Sequence, residues 1–268
     1  TCAPCDNTLT IVVDETDLTN LVYDGTIKPE DVKITVALTD GSNQELKKGT
    51  DYKVEYVPRT DAGEITVTVT GLTFRGTFTK TYPVSQDRPV LEWDTTVKPV
   101  PVEVDYDGEA VEKEIDLPPV KINIQSDKDD LQGDLRYSYK KTGDSVYTGG
   151  LPKDAGTYDV IVSLPEMPNF EAAESAPIKL TIRKISPIVT APAATQPVFN
   201  RTAQALVTPG VLCDVAIRDG IVIEFAESET GGYSTAIPTG INAGDYEVWY
   251  KVEGPDNYNA VGPAQGND

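Results

Sequence analysis

Three places in this chain combine residue types at a spacing that could do chemistry. Trp249 lies in an alternating run with Glu247 and Lys251, and an aromatic beside charged neighbours can form a binding platform. Cys2-Ala-Pro-Cys5 has the two-residue gap of a redox pair, and Asp127-Lys128-Asp129-Asp130 is a dense acidic loop that could attract a cation. Around them are 43 carboxylates and no histidine. The absence of imidazole excludes Ser-His-Asp and Cys-His catalysis and histidine-ligated zinc. A carboxylate pair could still hydrolyse a glycoside, although this many acidic residues bring some together by chance. No glycine-rich phosphate loop is present, and neither catalysis nor a cofactor is expected.

Each of the three places has a structural reading. A working redox pair opens a helix, whereas Cys2 and Cys5 precede the strand-like run Leu9-Thr10-Ile11-Val12-Val13. They are expected to form a local disulfide or remain thiols in a terminal tail. Lipid attachment at Cys2 or Cys5 is the sharper alternative. The acidic loop lacks the alternate-position ligands and central glycine of a calcium loop, so it is expected to be a solvated hairpin tip with no metal. Along Tyr246-Glu247-Val248-Trp249-Tyr250-Lys251-Val252 the apolar phase is Tyr246, Val248, Tyr250 and Val252. Trp249 therefore shares the opposite face with Glu247 and Lys251, which calls for a covering loop, a neighbouring domain or a ligand. Trp93, near the first linker, is expected to pack at a domain junction. Cys213 is expected to be a small buried residue.

The elements that carry these residues recur three times. An aromatic-led turn appears as Tyr23-Asp24-Gly25, Tyr106-Asp107-Gly108 and Phe199-Asn200-Arg201. A small-residue turn appears as Asp61-Ala62-Gly63, Asp154-Ala155-Gly156 and Asn242-Ala243-Gly244, and a closing aromatic as Phe74, Asn169-Phe170 and Asn257-Tyr258. Glycine in the second turn is expected to accept a positive φ. Between the turns the runs alternate with period two, as in Ile65-Thr66-Val67-Thr68-Val69-Thr70, and helical periodicity is nowhere sustained. The expectation is an all-β chain of three antiparallel domains, 1–87, 88–184 and 185–268, joined by short proline-bearing linkers. The third is expected to lack its last strand, because residues 259–268, with two glycines and a proline, read as loop.

The formal charge of −20 is spread evenly over the repeats. Even acidity disfavours nucleic acid and anionic membrane as partners. No apolar run is long enough for a transmembrane helix, and no signal peptide is visible, which suggests a mature form or a fragment.

These motifs resemble the bacterial surface repeats known as MBG or YDG domains, most closely in repeat two, through Tyr106-Asp107-Gly108, Pro152, Asp154-Ala155-Gly156-Thr157-Tyr158, Asn169-Phe170 and Ile178-Lys179-Leu180-Thr181-Ile182. Repeat three matches through Thr202-Ala203-Gln204-Ala205-Leu206, Ile237-Pro238 and Asn257-Tyr258-Asn259, and repeat one resembles a divergent variant with Gly49-Thr50-Asp51-Tyr52. The resemblance implies three tandem Ig-like antiparallel β-sandwich domains in an extended arrangement. It further implies a non-catalytic extracellular module of a bacterial cell-surface protein, a spacer or adhesion stalk that accompanies further domains. A glycan or a host or cell-surface protein is the expected partner, with Trp249, Glu247 and Lys251 as candidate contacts. The alternatives are a carbohydrate-binding accessory module of a secreted glycan-degrading system and, behind it, a carboxylate-based glycosidase.

Overall fold

The computed structural model describes residues 12–13, 21–25, 36–37, 47–57, 61–73, 76–126, 129–213 and 220–266. Cys2, Cys5, Phe74, Asp127 and Lys128 lie outside the described residues. The fold is nearly all β. It divides into two compact units: Thr1–Trp93 with Val120–Arg136 and Val162–Ala176, and Asp94–Pro119 with Tyr137–Ile161 and Pro177–Asp268.

In the first unit a four-stranded sheet runs in the order Leu21–Val22, Thr77–Ser85, Gly63–Gly71, Tyr52–Tyr56. Alternation along Gly63–Gly71 buries Ile65, Val67 and Val69 against Tyr52, Tyr82 and Val84. The threonines between them face outward. Thr66 and Thr68 pair across the register with Thr81 and Thr79, their hydroxyls 2.9 and 3.2 Å apart. A second pairing in this unit joins Val90–Trp93 antiparallel to Val120–Asn123. The Trp93 Nε1 donates to Ala176 O at 2.9 Å, within repeat two.

The second unit builds the same sheet from repeat two. Val102–Asp105 lies beside Ile178–Arg183, which pairs with Gly156–Val160, followed by Arg136–Lys141 and Thr148–Gly149. Val102, Tyr158, Val160, Leu180 and Ile182 are buried. In both repeats the opening strand runs parallel to the terminal one, Leu21 opposite Val84 and Leu180 opposite Val102. Wholly antiparallel sheets, the expectation from the alternating runs, are therefore corrected to mixed ones. Parallel pairing needs a long connection, and here most of the repeat intervenes between the two strands.

Repeat three contributes Val222–Ala226, Trp249–Glu253 and Val261–Gln265 in one antiparallel sheet over Val207, Phe225 and Val248. Residues after Tyr258 are thus not all loop. Gly262, at φ 89°, and a register irregularity between Tyr250 and Val252 absorb Pro263, which sits on an edge strand where its missing N–H is tolerated. Val261 pairs with Val252 as Ala173 pairs with Leu164, so this strand replaces Ala173–Glu174. Among the described residues, no strand pairs with 244–248 as Ile178–Arg183 pairs with Gly156–Val160, and the strand expected from Tyr246 begins at Trp249. Cys213 is exposed rather than buried, at the end of a two-residue edge strand with Sγ 3.1 Å from Thr190 Oγ1.

Candidate functional site: an asparagine–aromatic joint between repeats

The recurrent turns meet across repeats. In the first unit, Asn169 of repeat two docks on the Asp61-Ala62 turn of repeat one. Ala62 N donates to Asn169 Oδ1 at 2.8 Å, and Asn169 Nδ2 donates to Asp61 Oδ1 at 3.1 Å. The linker joins in as a short parallel bridge, with Asp87 N donating to Asn169 O and Glu171 N to Asp87 O, both at 2.9 Å. Phe170, 3% exposed, meets Tyr23 of repeat one edge to face, with ring centres 5.5 Å apart.

The second unit repeats the joint one repeat later. Ala155 N donates to Asn257 Oδ1 at 2.7 Å, and Asn257 Nδ2 donates to Asp154 Oδ1 at 3.0 Å. Ile185 N donates to Asn257 O, and Asn259 N donates to Ile185 O. Tyr258 meets Tyr106 edge to face at 5.7 Å. A primary amide presents one acceptor and two donors side by side, so a single Asn satisfies both the free N–H and the carboxylate of an Asp-Ala turn. Aromatic pairs of this geometry add about 0.5–1.5 kcal/mol beyond their burial.

The aromatic-led turns hold these rings in place. Gly25 and Gly108 both adopt φ 88°, and Arg201 keeps the same left-handed backbone at φ 70° without being glycine. The middle residue caps the turn: Asp107 Oδ1 accepts from Glu109 N, and Asn200 Oδ1 from Thr202 N. A Cβ on Gly25 would also collide with Ser126. In the small-residue turn Gly63 has φ 133° and Gly156 φ 158°, but Gly244 lies outside the positive region, which corrects the expectation for repeat three.

Two further groups complete the first joint. Asp87 is 2% exposed, and its carboxylate accepts from Arg88 N at 2.8 Å and Gln125 N at 2.6 Å. Two backbone donors offset the burial of that charge. Asp129, expected at a solvated tip, instead accepts from Tyr23 OH at 2.9 Å and from Ser126 Oγ. Tyr23 reaches it because the Gly25 turn packs directly on Ser126. Burial first, then the Asp129 hydrogen bond and the charges of Asp129 and Asp61, raise the Tyr23 phenol pKa; Asn169 opposes them. A cleft of about 570 Å³ opens beside this linker, and the charges at its wall are matched internally, with Arg88 Nε 2.8 Å from Glu171 Oε2.

The residues singled out around Trp249 are only partly brought together. Trp249 is half-buried, and its Nε1 is enclosed without a hydrogen-bond partner among the described residues. Lys251 is engaged by Glu253 at 2.6 Å, Glu224 at 3.3 Å and the Tyr233 ring at 4.8 Å. The Glu253 hydrogen bond raises its pKa against desolvation, with Glu224 adding to the rise. Glu247 is exposed and precedes the strand. No family model matches the chain, and no curated protein shows significant similarity to it.

The turns, asparagines and rings of the joint stand out in the sequence, but as turn and closing aromatic of one domain; Asp87, Ser126 and Ile185 carry no signal there. What the asparagine before Phe170 and Tyr258 signals is a partner outside its own repeat. An aromatic that merely closes a core has no need of an amide beside it.

Proposed function

We propose that this chain is a non-catalytic module of a bacterial cell-surface protein, built of three tandem Ig-like sandwich domains, 1–87, 88–184 and 185–268, that serves as a spacer or interaction stalk. The observation that supports it is the joint, formed twice from the same residue types at the same turns. A spacer needs its modules ordered against one another, and each joint supplies this with side-chain hydrogen bonds, a linker bridge and a ring contact rather than a loose tether. The resemblance to MBG or YDG repeats supports the surface location. Antibody against the chain should label intact cells of the source organism, and any selective binding on a glycan array should survive Trp249→Ala. Absence of surface label would refute the location. Selective glycan binding that Trp249→Ala abolishes would replace the spacer with a carbohydrate-binding accessory module.

A further inference from the structure

Repeat three carries the acceptor half of the same joint, and among the described residues nothing is docked on it. Its opening turn keeps the left-handed third residue, Arg201 at φ 70°, and the Asn200 cap. Its small-residue turn keeps the tyrosine brace: Tyr246 OH donates to Asn242 O at 3.0 Å, as Tyr158 OH donates to Asp154 O at 2.7 Å. Exposure is what differs. In the filled joints Tyr23 and Ala155 are buried and Tyr106 and Ala62 half-buried, whereas Phe199 is 55% exposed and Ala243 is open. Val198 at 85% and Ile241 at 52%, the sequence neighbours of Phe199 and of the Asn242-Ala243 turn, are exposed as well. Large apolar side chains left in solvent are a mark of interaction sites.

We propose that the Asn242-Ala243 turn and Phe199 bind the Asn–aromatic loop of a further repeat of the same kind, joined after repeat three. Asn242 offers a side-chain carbonyl where Asp61 and Asp154 offer a carboxylate, so the incoming asparagine finds the same acceptor and the same free N–H. The occupant follows from the two filled joints, in which the donor loop belongs to the repeat next in sequence and its linker pairs with that loop. A second copy of the chain fits less well. Its Asn169 and Asn257 loops are already engaged, and repeat one carries Thr73 at the equivalent position, with its N–H turned to Asp51 O. The proposal rests on reading the joints as the link between tandem repeats.

The test fuses a second copy of residues 178–268 after Gln265, so that Ile178 takes the place of Gly266, whose N–H now meets Val248 O. Hydrogen exchange is read at the Ala243 amide, with Ala155 in the same molecule as reference. Ala243 should exchange more slowly by about tenfold or more than in the unextended chain, and Asn257→Ala in the appended copy alone should return it to the unextended rate. Unchanged exchange at Ala243 beside a protected Ala155 overturns this proposal alone, and an unprotected Ala155 overturns the joint reading beneath it. Protection of Ala243 through self-association of the unextended chain would assign the surface to a second copy and overturn the proposal. Should the fusion not fold, the unextended chain is titrated with a cyclic Met-Pro-Asn-Phe-Glu peptide, the sequence of 167–171. A shift of the Ala243 amide is expected; no shift, or an equal shift from the Asn-to-Ala peptide, overturns the proposal.

Discussion

Asn257 holds Ala155 across the second joint: its side-chain carbonyl accepts the Ala155 amide at 2.7 Å, between residues 102 apart in the chain. The other end of the same amide donates to Asp154 Oδ1 at 3.0 Å. Asn169 treats Ala62 and Asp61 in the same way. One side chain thus caps a turn in the preceding repeat, and in each case the next residue is the ring that meets that repeat's opening aromatic.

Asn257→Ala should strand the Ala155 N–H, which belongs to a residue only 7% exposed, at a cost of about 1–3 kcal/mol. Asn257→Asp should be worse at neutral pH, since it removes the donor and sets a second carboxylate against Asp154. Denaturant melts of both variants check the order, and exchange at Ala155 should quicken in each.

Arg201→Gly should stabilise repeat three by about 1 kcal/mol, because a left-handed backbone strains any residue with a Cβ. Differential scanning calorimetry against the parent chain measures it. Destabilisation would mean that the guanidinium contributes more than its backbone strain removes.

Much of the fold was legible because alternation survives burial. Ile65, Val67 and Val69 point inward as their spacing dictates, and the threonines between them face out. Strand direction was not legible, since a period of two is the same for parallel and antiparallel partners and only the long connection from Leu21 to Val84 decides it. Nor was the strand Val261–Gln265, because glycine and proline signal a loop unless a bulge on an edge accommodates them. The joint escaped notice for a related reason. Turn residues are read locally, and nothing in Asp154-Ala155 says that its partner lies 102 residues away.

The first joint should weaken in alkali. The Tyr23 phenol is raised in the fold, so its contribution is fully present below the unfolded value of about 10 and is lost as pH climbs through the folded one. Burial raises Tyr52, Tyr137 and Tyr158 as well, so the reading must be local. Exchange at Ala62, referenced to Ala155 and corrected for the intrinsic pH dependence, should accelerate above about pH 10 in the parent chain. Tyr23→Phe, which cannot ionise, should lose that excess acceleration.

Trp249→Phe should leave stability unchanged or raise it by up to about 1 kcal/mol, because the enclosed Nε1 has no acceptor to lose among the described residues. Thermal melts compare the two proteins. A loss well beyond that expected for the smaller ring would show that the indole N–H is satisfied in solution.

If these joints lock neighbouring repeats, the backbone order of the linkers shows it most directly. Relaxation of the Asp87 and Ile185 amides, each donated to the docking loop, should return order parameters near about 0.85, the level of the flanking strands. The Asn169→Ala and Asn257→Ala variants should lower the value at their own linker and leave the other unchanged. Order parameters below about 0.6 at both linkers of the parent chain would contradict the account, since freely moving tethers cannot be held by the joints described.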